Sequence, residues 1–241
     1  DGVGFGEDGR LWGGETFYGA PGAWRHVARM RPFVLPGGEA ASRQPWRSAA
    51  ALAWSLDCVW PCPEDVHGVV RQAWQRRINS PETTAVGRLF DAAAALAGVC
   101  RVASFEGQGP MLLEALADRP ADEPPLQITL ASDGVLEWDW SRLVCLMKAA
   151  DHPLTERSGR FHDALAATIR EICRRIEQPF SAVALCGGVF QNRRLAERVI
   201  DLLEADGITP FLPARLPVND AAISFGQIVE FAQGGGEAQN R

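Results

Sequence analysis

The sequence has a single lysine, Lys148, and all its other basic residues are arginines. With 24 Lys and Arg against 30 Asp and Glu, the formal net charge is -6. A domain that binds duplex nucleic acid needs a basic surface, so this balance argues against nucleic acid as a partner. Apolar runs of membrane-spanning length and signal-like segments are also missing, so we expect a cytoplasmic protein with no membrane partner.

Paired cysteines are scarce as well. Of six cysteines, only Cys58 and Cys62 lie close together, with the spacing C-x3-C. A structural zinc site needs a second pair or nearby histidines, and neither is present in the sequence. We therefore expect free thiols, mostly buried, in a reducing compartment.

What is present begins with a glycine-rich segment. Gly2, Gly4 and Gly6 alternate, so one face of the first strand carries no side chains, and a backbone or a ligand should lie against it. Asp1 beside that face could hold a metal or order a phosphate, or it could be a solvated terminus. A hairpin turn at residues 8–9 and a strand through 24–34 predict three antiparallel strands.

The chain then turns helical from residue 40 to about residue 98. Gly87 and Asp91 are four residues apart and share one helix face. The glycine could leave room for a flat ligand whose ribose hydroxyls bind Asp91. Equally, Gly87 could be a helix–helix contact with Asp91 in solvent.

The central stretch is strand, glycine pair, helix. A short apolar strand over 180–185 precedes Gly187 and Gly188, and a helix with apolar residues at helical spacing follows from residue 193. A glycine pair permits close backbone approach, and a helix N-terminus offers unpaired N–H groups to phosphate. The same pattern also describes an ordinary tight turn, which is the more common case.

The final elements are a short strand at 208–212 and a helix that opens at residues 218–227. Asp220 could cap that helix, or it could reach a metal-bound phosphate at the carboxyl end of the sheet. His162 is an isolated histidine, for which we expect a structural role.

Three strands, a helical insertion and then helix-strand-helix-strand-helix is the order of one half of an actin/Hsp70-like (ASKHA) nucleotide-binding fold. We therefore predict the α/β class, with a mixed sheet flanked by helices. Residues 1–36 would supply the first strands, 37–117 the helical insertion and 118–241 the remainder.

Seven motifs, spread in order over nearly the whole chain, resemble the C-terminal domain of HypF, the carbamoyltransferase of nickel–iron hydrogenase maturation. They are Asp1-Gly2-Val3-Gly4, Leu11-Trp12-Gly13-Gly14-Glu15, Leu35-Pro36-Gly37-Gly38, Gln44-Pro45-Trp46-Arg47, Gly87-Arg88-Leu89-Phe90-Asp91, Phe105-Glu106-Gly107-Gln108 and Gly187-Gly188-Val189-Phe190-Gln191-Asn192. The combination is specific where each motif alone is not. The domain is similar to the TsaD-type enzymes and to antibiotic O-carbamoyltransferases.

The resemblance implies roles for particular residues. Gly187, Gly188 and Asn192 would contact the nucleotide, together with Gly2 and Gly4, while Gly87 and Asp91 would receive the ribose. Asp1 and Asp220 would hold a divalent metal, which could be iron, zinc or magnesium. The family's histidine ligands form an HxxxH motif that is missing here, because His26, His67, His152 and His162 are isolated.

The resemblance also implies a reaction. ATP and carbamoyl phosphate yield carbamoyl-adenylate in an upstream YrdC-like domain, and the domain seen here passes the carbamoyl group to the C-terminal cysteine of HypE. It implies too that the upstream half, the YrdC-like, zinc-finger and acylphosphatase domains lie outside this chain. Two alternatives stay open, a docking fragment without catalysis and an O-carbamoyltransferase for a small-molecule hydroxyl. Catalytic residues cannot be assigned, and Glu106, Gln108 and Cys186 have no assigned role.

Overall fold

The computed structural model describes residues 4–118 and 121–233. Its strands are β1 (Gly4–Phe5), β2 (Leu11–Trp12), β3 (Glu15–Tyr18), β4 (Arg25–Met30), β5 (Phe33–Val34), β6 (Glu82–Thr83), β7 (Ile128–Leu130), β8 (Leu136–Trp138), β9 (Val183–Ala184) and β10 (Pro210–Phe211). Its α-helices are α1 (Ala40–Arg43), α2 (Pro45–Ser55), α3 (Val69–Gln75), α4 (Val86–Leu96), α5 (Gln108–Leu116), α6 (Ser141–Lys148), α7 (Leu154–Arg175), α8 (Arg193–Ala205) and α9 (Ile223–Gln233). Short 3-10 turns cover Val66–Gly68, Gly188–Gln191 and Asp220–Ala222.

The described strands form mixed sheets flanked by helices, which confirms the predicted α/β class. One sheet has the order β1-β2-β6-β5, a second β3-β4-β8-β7, and β9 pairs in parallel with β10. Parallel pairs (β2 with β6, β4 with β8) stand beside antiparallel ones. The prediction of one three-stranded antiparallel sheet at the start was wrong, because β2 and β3 belong to different sheets.

A carboxylate explains where the chain changes sheet. Glu15 Oε2 accepts the backbone N–H groups of Gly13 and Gly14, each at 2.6 Å, and Glu15 Oε1 accepts the Thr84 hydroxyl. A Cβ on Gly14 would lie 2.4 Å from the Thr84 carbonyl oxygen, so only glycine fits this crossing. The turn therefore ties β2 and β3 to the chain just before α4.

The core is centred on α4. Residues Arg88 to Leu96 of this helix are all buried, because its alanines let α2 approach closely and its larger side chains meet α5 and α6. Buried residues of β4, α6, α7 and α8 continue the same apolar cluster. This places the first turn of α4 on a rigid support.

The C-terminal helices differ sharply in burial. Helix α7 begins at Leu154, so His162 lies inside it and is fully buried. Helix α9, in contrast, has no buried residue. Within the described part of the chain, no helix combines the length and apolar character that crossing a membrane requires.

Candidate nucleotide site

Three segments that are far apart in sequence meet around α4. The turn Gly188–Gln191 packs against α4. Gly187 donates its backbone N–H to the Val218 carbonyl at 2.6 Å, and a Cβ on Gly188 would lie 4.0 Å from that of Asn219. The fold therefore brings the predicted residues Gly87, Gly188 and Asp220 into one region.

The glycine pair forms a tight turn at the end of β9. Gly187 has φ +101°, a conformation that side chains with a Cβ rarely adopt. Gly188 has no such constraint, and a Cβ there would meet nothing closer than Asn219. The first glycine is thus needed for the turn itself, while the second leaves open space beside it.

The N-terminus of α8 does not offer the free N–H groups that phosphate would need. Glu114 Oε1 of α5 accepts from the backbone N–H of Arg193 at 2.8 Å and of Arg194 at 3.4 Å. Asn192 Oδ1 accepts from Leu195 N–H at 2.9 Å. These N–H groups are therefore not unpaired as the sequence suggested, because a carboxylate of the chain already interacts with the positive end of the helix dipole, and a phosphate contact at this helix end stays a prediction.

Asn192 is the N-cap of α8 and is 8% exposed. Its amide Nδ2 lies 3.0 Å from Nε2 of His162, so both ends of the amide have protein partners. An additional nucleotide contact from this side chain stays a prediction.

His162 is held neutral. Its Nδ1–H donates a hydrogen bond to the Ser158 carbonyl at 2.7 Å, which leaves Nε2 to accept one from the Asn192 amide. Burial, together with the nearby Arg194 charge, lowers the pKa of His162 to about 4, although the hydrogen bond to the Ser158 carbonyl acts to raise it. The expected structural role is thus supported, with Phe90 of α4 packed edge-on at 5.4 Å.

Asp91 faces the protein interior. It is 2% exposed, its Oδ2 lies 3.0 Å from Arg88 Nη1, and a Cβ on Gly109 of α5 would lie 3.7 Å from its Oδ1. Burial raises the pKa of Asp91 to about 7, Arg88 opposes the shift and Glu106 adds to it. Gly87, one position before Arg88, is half-buried. The predicted ribose contact of Asp91 requires this buried carboxylate to become accessible, and it stays a prediction.

A cavity of about 640 Å³ opens beside α4. It joins the side chain of Arg88 to Glu106 and Asp220, and its remaining lining comes from Leu11, Leu35, Gly38, Glu39, Ser42, Arg43, Ala103, Ser104 and Phe105. Asp220 is exposed and does not cap the last helix, because Asn219 Oδ1 accepts from Ala221 N–H at 3.2 Å instead. Asp220 is therefore free to face a ligand.

The first glycines have unlike surroundings. A Cβ on Gly6 would overlap the indole of Trp12 at 2.1 Å, so its neighbour is a side chain and not the predicted backbone or ligand, whereas Gly4 is exposed with open space around it. Asp1 and Gly2, named above as metal and nucleotide residues, lie outside the described residues.

Within the described residues, 4–118 and 121–233, no three His, Cys, Asp or Glu side chains lie close enough together to hold a metal ion. Gln108, left unassigned above, accepts from Ser104 N–H at 2.7 Å and so orders the loop before α5. The described cysteines are free thiols, as expected, but the expectation that most are buried was wrong: Cys100 and Cys173 are buried, whereas Cys145 and Cys186 are exposed.

Two residues of this region were missed by sequence reasoning. From the sequence, no role was assigned to Arg88, which lies between Gly87 and Asp91, or to Glu114. An arginine inside a helical glycine–aspartate motif was a usable signal, since a charged residue on a buried helix needs a partner. No local pattern marks Glu114, because its targets lie 79 and 80 residues further along.

Comparison with known proteins gives a consistent result. A family profile described as carbamoyltransferase, Kae1-like domain, second subdomain, matches residues 1–227. Carbamoyltransferase HypF of Rhodobacter capsulatus is 36% identical over 237 residues, covering 94% of this chain and 31% of that protein. Carbamoyltransferase HypF of Synechocystis sp. is 34% identical, covering 95% of this chain and 33% of that protein.

Two solved structures share the fold. A full-length HypF in the phosphate- and nucleotide-bound form superposes with a TM-score of 0.85 at 27% identity, over 95% of this chain and 32% of that one. HypF of T. kodakarensis gives a TM-score of 0.78 at 25% identity, over 94% and 32%. The chain spans about a third of the length of these relatives.

Proposed function

This chain belongs to the family of Kae1-like carbamoyltransferase domains of HypF proteins, as its second subdomain, and from that premise we propose that it binds carbamoyl-adenylate. The carbamoyl group would pass to the C-terminal cysteine of HypE, for the cyanide ligand of nickel–iron hydrogenase, in a cytoplasmic setting. The observation that carries the proposal is that the Gly188–Gln191 turn packs on α4, Gly187 bonds to Val218, and Arg88 of α4 lines one cavity with Asp220.

The glycine pair supports a nucleotide as the ligand. Gly188 could accept a methyl group without any clash within the chain, yet the position is glycine. Open space beside a glycine is what a closely bound ligand requires. A related full-length HypF has been solved with phosphate and nucleotide bound.

The chemistry asks little of acid and base groups. The cysteine thiolate of the acceptor attacks the carbonyl carbon of carbamoyl-adenylate, so that a C–S bond forms. The bond between that carbon and the phosphate oxygen breaks, AMP leaves as the anion, and the thiol proton has already gone to solvent. An acyl-adenylate carries its own leaving group, so the protein's task is to orient the two reactants and exclude competing water.

A divalent metal does not enter this scheme. Asp220 and Glu106 line the same cavity, but the described residues bring no third ligand to them. The metal roles of Asp1 and Asp220 stay predictions.

A domain exchange tests the function directly. The corresponding third of Rhodobacter capsulatus HypF is replaced by this chain, and carbamoylation of the HypE C-terminal cysteine is followed by mass spectrometry. We expect transfer that depends on ATP and carbamoyl phosphate. Transfer to a sugar hydroxyl instead of the cysteine would favour the O-carbamoyltransferase alternative, and no transfer to either would contradict the proposal.

Gly188→Val is the matched variant within that exchange. Valine would fill the open space beside Gly188 with no backbone strain, so the chain should fold while transfer falls at least about tenfold. Gly226→Ala, a glycine of α9 that also has open space around it, is the control and should transfer normally.

A further inference from the structure

Arg88 is the buried charge of the cavity. It lies in the first turn of α4 and is 7% exposed, yet it contributes to the cavity lining. The other charged residues of that lining, Glu39, Arg43, Glu106 and Asp220, are all exposed to solvent. Arg88 is thus the one charge there that water screens weakly.

The pairing of Arg88 is incomplete. Nη1 lies 3.0 Å from Asp91 Oδ2, but the angle is not that of a hydrogen bond, and Asp91 Oδ2 and Arg88 Nε are buried without hydrogen-bond partners. A buried ion pair repays its desolvation only when the remaining donors and acceptors are satisfied, so an apolar pair would serve stability as well. This argues that Arg88 is present for something other than stability.

The charges that line the cavity indicate what role Arg88 has. Glu39, Glu106 and Asp220 would repel an anion, and the charge of Arg43 is exposed to solvent, which screens it. An anionic ligand therefore needs a fixed cation on the cavity wall. A guanidinium held by a carboxylate on one side is suited to bind an oxyanion on the other, because its donors form a planar fork.

We propose that Arg88, oriented by Asp91, binds the phosphate oxygens of the adenylate in this cavity. The inference rests on the proposed function, because it names the residue that recognises the phosphate of that ligand. Asp91 acts here as a positioning residue for Arg88 and not as a ribose ligand.

The test compares three probes on the 241-residue chain by calorimetry: AMP, adenosine and inorganic phosphate. Arg88→Gln should weaken AMP binding about tenfold or more, as the loss of a charge-assisted bond does, and leave adenosine binding unchanged. Arg88→Lys keeps the charge but loses the planar fork of donors. Its AMP affinity should lie between those of the unmodified chain and Arg88→Gln. Arg193→Gln, an exposed arginine that pairs with Glu197, is the matched control and should bind AMP normally.

The probes separate the possible failures. If AMP affinity is unchanged in Arg88→Gln, the inference is overturned and nucleotide binding stands. If AMP and adenosine weaken together, Arg88 is only structural and the inference again falls. If the unmodified chain binds neither AMP nor adenosine, the proposed function of this chain falls and takes the inference with it.

A second measurement needs no variant and so does not depend on folding of a mutant. The Nε–H resonance of Arg88 is followed by NMR during a titration of the unmodified chain with phosphate and then AMP. We expect a saturable shift with both probes at affinities that match calorimetry. A resonance that does not move while AMP binds would overturn the assignment.

Discussion

Asp91 and His162 are two buried titratable groups whose pKa values move in opposite directions. Burial disfavours the charged form of each, so it raises the pKa of Asp91 to about 7 and lowers that of His162 to about 4. The ordinary values are 3.8 and 6.5, so both groups change protonation in nearly the same pH window, with opposite effects on stability.

The signs follow from proton linkage. Between about pH 4 and 7, the unfolded chain has lost the Asp91 proton while the folded chain keeps it, so the Asp91 contribution falls as pH rises. Between about pH 4 and 6.5, the unfolded chain binds a proton at His162 and the folded chain does not, so that contribution rises with pH. The two slopes oppose each other.

Asp91→Asn should leave His162 as the group that sets how the free energy of unfolding changes with pH in this window. Relative to the unmodified chain, the free energy of unfolding of this variant should gain up to about 1.4 kcal/mol per pH unit between pH 4 and 7. Urea unfolding at closely spaced pH values measures it. His162→Gln is the counterpart and should change the slope in the opposite sense; parallel curves for all three proteins would show that neither pKa is shifted as described.

Asn192→Ala should cost stability. The substitution removes the N-cap of α8, worth about 1 kcal/mol, and leaves His162 Nε2 without its buried donor, worth about 1 kcal/mol more. Chemical denaturation should therefore show a loss of roughly 2 kcal/mol. Asn219→Ala, which removes an exposed turn bond, should cost less than half of that; equal losses would refute the buried pairing.

The sequence predicted the site's glycines better than its polar contacts. The turn at Gly187 needs glycine for a local reason, a positive φ, and local reasons are visible in sequence. Asn192 binds a histidine 30 residues earlier, and Asp91 turns inward toward Arg88, so both depend on how α4, α7 and α8 pack. A pattern of spacing says which face a residue shares, not whether that face is buried.

At the scale of elements, two carboxylates hold junctions together, one from within the junction itself and one from a distant helix. Glu15 binds the N–H groups at the crossing between the first two sheets, and Glu114 binds those at the start of α8. The sequence predicted strands within 180–185 and 208–212 and a helix from residue 193, and the structure has β9, β10 and α8 there. It misplaced the first strands because the crossing at Gly13 and Gly14 depends on a bond to Thr84, which no local signal shows.

Glu114→Ala should destabilise α8 at its first turn. The change removes two backbone hydrogen bonds and a favourable charge at the positive end of the helix dipole, which together are worth about 1 kcal/mol. Thermal unfolding should show a lower melting temperature at low salt, with a smaller difference at high salt. Glu197→Ala, an exposed residue in the same helix, is the control; an equal effect there would mean that the capping contacts contribute nothing.

At the scale of the molecule, α9 presents an unpaired apolar stripe. Phe225, Ile228 and Phe231 recur at spacings of three and are 50%, 67% and 68% exposed. A monomer rarely exposes such a surface without a use for it. The contacts of α9 with the hairpin of β3 and β4 run through Glu230, which accepts from Gly22 N–H at 2.5 Å and Trp24 Nε1 at 3.1 Å.

Ile228→Lys should make the isolated chain less prone to associate. The lysine interrupts the stripe at its centre and adds a charge to an exposed position, so it should leave the fold intact. Sedimentation velocity over a range of concentrations should show association of the unmodified chain that this variant reduces. Val69→Lys, an exposed apolar position on α3, is the control and should not reduce it. A monomeric unmodified chain would contradict the expectation.

Asp220 and Arg88 lie on elements that differ greatly in how deeply they are packed. Arg88 projects from the most deeply packed helix of the chain, whereas Asp220 begins the segment that runs into exposed α9. A ligand that contacts both residues would therefore stabilise the docked position of α9. Slower amide hydrogen exchange in α9 would then measure how much ligand is bound. The affinity for the ligand and the stability of the docked α9 would then be coupled, so that a change in one changes the other.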